Sequence, residues 1–344
     1  MRKPLRFAAV VIALGIVTAC GSSNENAGQQ SDSIDTNAAD RDCPLGRKHG
    51  QCLTLVPSNL PADICDTPGT KDFTGGYLDP THPDAMIEQA GGPTIYLYKF
   101  ANVSGDITDY GITTAIVATN SMKLGSYTSY PFGTSDGQGS NGAYPHCGGG
   151  GAGYGTEGGP TGGGPAYGSE TATPLLPGSR GGDGNSADLV AGGGYGGSAI
   201  QLVSCGALQI DGSVTVNGGD GNFGRGTGGP GGGGGGSGGT ILIEAASVTT
   251  AAGGGLSANG GNGGGGDLGF GGKGGTVDSP PGASVCGYDD IDMGPPYYVT
   301  GNGAGGAVGR IRINVAAGTQ PQLLGSMSPA PSIGAVSTHQ GAPS

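Results

Sequence analysis

Apolar residues are sparse along this chain, but where they occur they alternate with polar or small residues. Alternating runs follow glycines and begin at Ile95, Ile200, Ile241 and Ile311. Alternation with a period of two is typical of a β-strand that buries one face. The pattern therefore predicts short strands whose inward side chains are Ile95, Leu97, Ile116, Leu124, Ile200, Leu202, Leu208, Ile210, Val214, Val216, Ile241, Ile243, Leu256, Ile311 and Ile313.

The segments that follow these runs also repeat. Residues 217–221 and 259–263 both read Asn-Gly-Gly-Asx-Gly. A unit of short strands and turns with a glycine-rich excursion is too small to bury its own apolar face, so successive units are expected to stack. We therefore predict an all-β fold over residues 91–316, a parallel β-helix or β-solenoid-like stack of short strands with long Gly-rich loops. Asn217 and Asn259 would stack at its turns, because Asn tolerates the left-handed backbone region.

Composition supports a fold without long helices. The chain has 344 residues, of which 81 are Gly and 23 are Pro, and Gly is unfavourable inside a helix. The glycines do not fall at every third position, which excludes collagen. Two interpretations of the Gly tracts stay open. They form solvated surface loops, or they form left-handed helices with three residues per turn that hydrogen-bond sideways.

The N-terminus has the features of a bacterial lipoprotein signal peptide. Arg2, Lys3 and Arg6 precede an apolar stretch over residues 7–17, which is too short to span a bilayer. Val17-Thr18-Ala19-Cys20 then resembles a lipobox, in which the Cys thiol accepts the lipid. We expect residues 1–19 to be removed and Cys20 to carry lipid, palmitate among it, so that the chain is anchored to a membrane without crossing it.

The remaining sequence divides by composition. Residues 20–42 are polar and predict the lipidated Cys with a disordered tether. Residues 43–90 predict a small Cys-containing cap at the end of the stack, with one helical turn at residues 84–89. Residues 317–344 are expected to form a disordered tail. Gly21, at the position where Asp would favour inner-membrane retention, indicates the outer membrane or cell surface.

The other six cysteines predict disulfides, because an exported protein with a small core often depends on them. No paired short spacing supports the alternative of a structural metal site. Three of the cysteines lie close together near the N-terminus, so at least one must reach a distant partner if all six pair. The six are Cys43, Cys52, Cys65, Cys147, Cys205 and Cys286.

The charge of the chain excludes nucleic acid as a partner and is compatible with a calcium site. The net charge is −12 at pH 7, which is incompatible with a basic nucleic-acid-binding surface. Asp289, Asp290 and Asp292 form a carboxylate cluster on an expected loop, and their oxygens could hold Ca²⁺. The alternative is a solvated acidic loop. No other cofactor is expected.

Tyrosines beside glycines are candidate binding residues, since each offers an aromatic face and a hydroxyl. Packing against the glycine backbone is the alternative for each of them. These tyrosines are Tyr154, Tyr167, Tyr195, Tyr288, Tyr297 and Tyr298.

Residues 200–208 and 232–245, together with the Gly-Arg-Ile-Arg-Ile segment at 309–313, are similar to Gly-rich lipoproteins of myxobacteria and related deltaproteobacteria. The resemblance covers about residues 43–316 and implies a surface or periplasmic lipoprotein. The expected function is a structural or adhesive role at the cell envelope without catalysis, with polysaccharide or another cell-surface protein as partner. The alternative is a β-helix polysaccharide lyase or hydrolase that uses the three aspartates and Arg310, although Arg310 alternates with Ile311 and so is expected on a solvent face.

Overall fold

The computed structural model describes residues 43–48, 51–110, 113–130, 134–142, 147–159, 162–185, 189–224, 229–266, 271–276, 281, 289–290, 297–298 and 300–340. The signal peptide and tether predicted for residues 1–42 lie outside the described residues. No helix is assigned in the described part of the chain, and none there has the length and apolar character needed to cross a membrane.

The described fold is all-β, as predicted. Its strands are β1 (Arg47–Lys48), β2 (Gln51–Val56), β3 (Gly76–Tyr77), β4 (Ala85–Ile87), β5 (Ile95–Asp109), β6 (Thr113–Ser129), β7 (Gly184–Asn185), β8 (Val190–Ala191), β9 (Ala199–Ile210), β10 (Ser213–Thr215), β11 (Thr240–Thr250), β12 (Gly255–Ser257), β13 (Asp289–Asp290), β14 (Tyr297–Tyr298), β15 (Arg310–Val315), β16 (Gln322–Leu323), β17 (Ser326–Ser328), β18 (Ser332–Ala335) and β19 (Ser337–Gln340).

Most of these strands belong to one curled sheet in which the pairing is almost entirely parallel. The chain crosses this sheet in successive passes, namely β5, then β6, then β9 with β10, then β11 with β12, then β15 with β16 and β17. Each pass has three segments, and each segment pairs with the matching segment of the next pass. One set of register partners, Ile116, Leu202, Ile243 and Ile313, runs through four passes.

The sheet encloses an apolar core built from all three segments. Ile243 comes from the first segment, Leu208 from the second and Val214 from the third, and all three belong to one buried cluster. All fifteen side chains predicted to face inward are buried, and thirteen of them lie in this cluster. Alternation of apolar positions therefore identified the buried face in nearly every pass.

Ile95 and Leu97 are buried on the opposite face, which corrects the predicted orientation. Leu97 pairs with Ala115, and both lie in a second cluster, while the inward positions of this pass are held by Tyr98 and Phe100. Both faces of the first segment are covered, so alternation alone does not tell the two faces apart.

One part of the N-terminal cap covers the flank of the first segments. Another part, residues 73–87, pairs with β5 at the end of the sheet, where the sequence predicted the cap. Leu53, Leu55 and Leu60 pack on the second cluster. A disulfide joins Cys65 to Cys205 of β9, which confirms the expected long-range pairing, and another joins Cys43 to Cys52. Cys147 is also disulfide-bonded. Cys286 lies outside the described residues.

The buried Glu244 side chain ties this cap to the sheet. Its carboxylate accepts hydrogen bonds from the backbone N–H and hydroxyl of Ser58, at 3.0 and 2.6 Å. It also accepts from the side-chain amides of Gln201, at 2.7 Å, and Asn314, at 3.1 Å. Four donors from the cap and two neighbouring strands thus compensate its desolvation.

The segments before and after the sheet also differ from prediction. Residues 85–87, expected in a helical turn, form β4 and pair antiparallel with β5, because the first pass presents an open edge. The C-terminal segment, predicted to be a disordered tail, contributes β16 to β19, and β19 pairs with β2 of the cap. Its few apolar residues hid these short strands from pattern analysis. Pro329 and Pro331 precede β18, and proline at such an edge opposes further strand pairing.

The described parts of the Gly tracts are ordered, which decides between the two interpretations left open by the sequence. In the tract at residues 231–239, amides at every third position donate to the same neighbouring tract. The amides of Gly232, Gly235 and Gly238 donate to carbonyls in residues 300–309, and those of Gly233, Gly236 and Gly239 to carbonyls in residues 216–224. This period matches the three residues per turn of a polyproline II-type helix.

Residues 231–239 form the centre of a bundle, and we call them the central tract. The third set of amides, those of Gly234 and Ser237, donates to residues 179–182. The carbonyls of the tract accept hydrogen bonds from three further tracts. The six neighbours lie at residues 147–155, 178–185, 191–197, 216–224, 258–266 and 300–309.

At its glycines this close packing leaves no space for a side chain, and Ser237, which is fully buried, is the non-glycine residue of the central tract. A Cβ placed on Gly234 would overlap the carbonyl of Gly150, and almost every glycine of the bundle would meet a backbone carbonyl in the same way. Side chains are tolerated at the rim, where they take over hydrogen bonds. Asn217 Oδ1 accepts from the backbone N–H of Asn259 at 2.7 Å, and Asp220 Oδ1 accepts from that of Asn262 at 2.6 Å. The expected contact between Asn217 and Asn259 is therefore present. Their predicted left-handed backbone is not, because Ala172 is the non-glycine residue with a positive φ among those described.

We predict that Gly234→Ala lowers the free energy of unfolding by about 3 kcal/mol or more, because the new methyl group has no room in a backbone lattice. Gly253→Ala is the matched control, since nothing lies within 4 Å of a Cβ at that position, and its effect should stay within about 0.5 kcal/mol. Guanidinium unfolding of the full chain under non-reducing conditions measures both. Equal stability of the two variants would show that the central tract is not packed.

Candidate functional site: an uncharged strip on the third segments

The outward face of the third segments carries a continuous column of hydroxyl side chains. Ile107, Tyr127, Val214 and Leu256 point into the core, so the residues next to them along each strand point outward. Successive register partners in this outward column are Tyr77, Thr108, Thr128, Thr215, Ser257 and Ser328. At the usual spacing of about 4.8 Å between strands, the column is about 24 Å long.

A second column lies two residues further along each strand. It begins with Tyr110 and Tyr130 and continues with Asn217 and Asn259. None of the side chains in either column is charged. We call the two columns together the uncharged strip.

Three tyrosines form an exposed aromatic group at the N-terminal end of the strip. Tyr77 and Tyr110 meet edge to face with ring centroids 4.8 Å apart, and Tyr110 stacks on Tyr130 at 5.1 Å. Their exposed fractions are 47%, 54% and 55%. Large aromatic side chains gain stability by burial, so three exposed rings held in contact favour a binding role over a packing role.

The strip has unused hydrogen-bonding capacity at this end. Within the described part of the chain, the hydroxyls of Tyr77, Tyr110 and Tyr130 make no hydrogen bond, and neither do those of Thr108, Thr128 and Thr215. Desolvation is the largest cause that raises the pKa of Tyr77, and the nearby Tyr110, Asp109 and Asp79 raise it further. Its hydroxyl therefore stays protonated and available as a donor at neutral pH.

At the other end, the polar side chains are already ordered. The Ser257 hydroxyl donates to Asn217 Oδ1 at 2.7 Å, and the Ser328 hydroxyl donates to Asn259 Oδ1 at 2.5 Å. These contacts hold the amides in place before any ligand binds, which lowers the entropic cost of recognition.

The buried Asp109 lies directly next to Tyr110 in the chain. Its Oδ2 atom accepts hydrogen bonds from the hydroxyls of Thr114, at 2.6 Å, and Tyr127, at 2.8 Å. Its Oδ1 atom has no partner among the described residues. Desolvation is the main cause that raises the pKa of Asp109, against the lowering effect of these hydrogen bonds.

Two of the six tyrosines predicted to bind ligand are used in packing. Tyr154 is buried, and its hydroxyl donates to the Leu176 carbonyl at 2.9 Å. Tyr167 packs edge to face against Tyr154, its hydroxyl donates to the Pro177 carbonyl at 2.6 Å, and burial raises its pKa to about 12. These two therefore follow the packing alternative, because glycines around them leave room for a ring.

Tyr195 is exposed, with the guanidinium of Arg180 over its ring at 5.9 Å, and it belongs to the Gly bundle and to neither column of the uncharged strip. Tyr297 and Tyr298 form β14, which pairs antiparallel with Asp289 and Asp290 of β13. Tyr288 and Asp292 lie outside the described residues.

Of the three proposed calcium ligands, Asp289 and Asp290 are therefore neighbours in β13, and their strand partners in β14 are tyrosines. The described residues contain no group of three or more His, Cys, Asp or Glu side chains placed to hold a metal ion. Arg310 donates to the Gly155 carbonyl at 3.0 Å and borders a pocket of about 240 Å³ that also contains Glu170. Arg310 is half-buried, whereas the sequence predicted a solvent-facing side chain.

The exposed tyrosines of the strip were not predicted from the sequence. The sequence does contain a repeat that points to them, since two similar segments lie 20 residues apart, Thr108-Asp109-Tyr110 and Thr128-Ser129-Tyr130. In the structure these segments are aligned, with Asp109 and Ser129 as register partners. The connection between the first two passes is short and lacks the Gly-rich excursion of later passes, so the sequence gives no further cue for their alignment.

Comparisons with family models, curated proteins and solved structures gave no match.

We predict that Asp109→Asn stabilises the fold at neutral pH. The raised pKa means that the carboxyl contributes most to stability below its unfolded pKa, and this contribution is lost as pH rises through the folded value. The gain in unfolding free energy over the native chain should therefore be small near pH 3 and grow to about 1 kcal/mol near pH 7. Thermal unfolding across this pH range measures it, with the exposed Asp63→Asn as control. A gain independent of pH would contradict the account.

Proposed function

We propose that this chain is a lipid-anchored lipoprotein of the outer membrane or cell surface, with a structural or adhesive role and no catalysis of its own. The observation that carries the proposal is the uncharged strip. A row of exposed tyrosines and free hydroxyls is held on a backbone that is hydrogen-bonded from pass to pass. Such a surface suits stationary contact, because positioned groups bind a partner without further ordering.

The fold within this proposal is a β-solenoid. Successive passes pair in parallel register, each pass contributes three segments, and their inward side chains share one core. These features are typical of stacked repeats in which each unit contacts its neighbours.

The location rests on two further observations. The lipobox at residues 17–20 provides a lipid attachment point, and residues 21–42 provide a tether with a reach of roughly 25 Å. The disulfides Cys43–Cys52 and Cys65–Cys205 favour an exported protein, because cytosolic thiols are kept reduced. The anchor at one end would hold the strip outside the membrane surface.

We predict that Cys20→Ala abolishes lipid incorporation and moves the protein from the membrane to the soluble fraction. The thiol at this position is the nucleophile that lipidation needs, so no other side chain replaces it. Metabolic labelling with an alkyne fatty acid, followed by fractionation, measures both effects. Ser23→Ala should behave as the native chain.

The proposed adhesive role is tested with three kinds of cells, which carry the native chain, the Cys20→Ala variant or no chain. Adhesion to matrix or to other cells should require the anchored form. Membrane association of Cys20→Ala at the native level would refute the anchor. Release of sugars from envelope polysaccharide by the purified chain would refute a role without catalysis.

A further inference from the structure

We infer that the uncharged strip binds a neutral polysaccharide, whose chain lies along the stack across Tyr77, Tyr110 and Tyr130. This inference rests on the proposed adhesive role and names the chemistry of its partner. Three properties of the strip lead to it, namely its aromatic rings, its regular hydroxyls and its charge.

The aromatic rings select for a ligand with flat apolar faces. A pyranose ring exposes C–H groups on its faces and hydroxyls at its edge, so it complements an aromatic ring that carries a hydroxyl. The ring centroids lie 4.8 and 5.1 Å apart, so the exposed parts of the three rings and their hydroxyls recur at intervals comparable to one sugar ring. A polymer of sugars therefore fits the repeat better than a single sugar does.

The hydroxyl column selects for a ligand that both donates and accepts hydrogen bonds. Thr108, Thr128 and Thr215 are register partners in three successive passes, and each hydroxyl serves either purpose. The free donors of the tyrosines extend this set. Sugar hydroxyls have the same double capacity and recur along a polysaccharide chain.

Charge decides between neutral and acidic polysaccharides. None of the strip side chains is charged. The carboxylate of Asp79 lies near enough to Tyr77 to raise its pKa, and Asp106 precedes Thr108 by two residues in β5. Hydrogen bonds from Thr81 and His82 lower the pKa of Asp79 to about 2, so it is ionised at neutral pH. With a net charge of −12 for the whole chain, an anionic polymer would be repelled.

Retardation of the full chain in native gels tests the inference, with hydroxyethylcellulose as the neutral probe and polygalacturonate as the acidic probe. The native chain should be slowed by hydroxyethylcellulose and not by polygalacturonate. Tyr110→Ala and Tyr130→Ala should each weaken the apparent affinity by about tenfold, as expected when one aromatic contact worth about 1.4 kcal/mol is lost. Thr128→Val should weaken it by about threefold, through loss of one hydrogen bond.

Tyr195→Ala is the matched control, because Tyr195 has a similar exposed fraction of 58% and lies outside the strip. It should leave retardation unchanged. Tyr110, Thr128 and Tyr130 are exposed, so circular dichroism and thermal unfolding of each variant should match the native chain. Equal weakening by Tyr195→Ala and Tyr110→Ala would overturn the assignment to the strip.

Three other results would overturn the inference. These are no retardation by the neutral probe, stronger retardation by polygalacturonate, or self-association of the chain that Tyr110→Ala abolishes, which would make a second copy the occupant. The proposed function fails separately. If cells that carry Tyr110→Ala still adhere, the polysaccharide is ruled out as the partner and the adhesive role stands. If the native chain carries no lipid label, the anchor is refuted, and retardation in gels still tests the polysaccharide by itself.

Discussion

Close approach of glycine backbones is the constraint on which this structure depends. In the central tract the peptide groups lie against neighbouring tracts, and the absence of a Cβ atom at its eight glycines makes that distance possible. The energetics are finely balanced. Ordering one residue costs about 1–2 kcal/mol, while one hydrogen bond returns about 1 kcal/mol net. Hydrogen bonds alone therefore do not hold such a bundle, and its ends must be fixed from outside.

The parallel sheet supplies these fixed ends. The pairing of Val214 with Leu256 continues beyond the strands into hydrogen bonds from Gly218 to Asn259 and from Gly221 to Asn262. Each tract thus leaves or enters the sheet already aligned with its neighbour. The apolar core of the sheet offsets the entropy that the Gly tracts lose, and the cap adds the second apolar cluster and the link between Cys65 and Cys205.

The sequence predicted the buried face and the stacking but not the lateral arrangement. Ile200, Ile241 and Ile311 alternate cleanly because one of their faces meets the core, so local spacing carries the signal. Ile95 and Leu97 were assigned to the wrong face because the cap buries the outer face of this segment as well, so apolar residues occur on both faces. The order of the Gly tracts depends on hydrogen bonds between segments far apart in the chain, such as that from Ala304 to Gly149, 155 residues apart. Polyglycine carries no pattern that shows which tracts are neighbours. The tyrosines of the strip were missed for a related reason, since their alignment requires the register between passes.

The proposed function follows from the same scaffold, because the strip is regular only if passes and tracts hold one register. Hydrogen–deuterium exchange of the native chain tests this order most directly. If the bundle is packed, amides of residues 231–239 should exchange as slowly as those of β11, while amides of the exposed turn at residues 252–253 exchange fast. Exchange of residues 231–239 at the rate of that turn would contradict the account, because it would show that the Gly tracts are solvated loops.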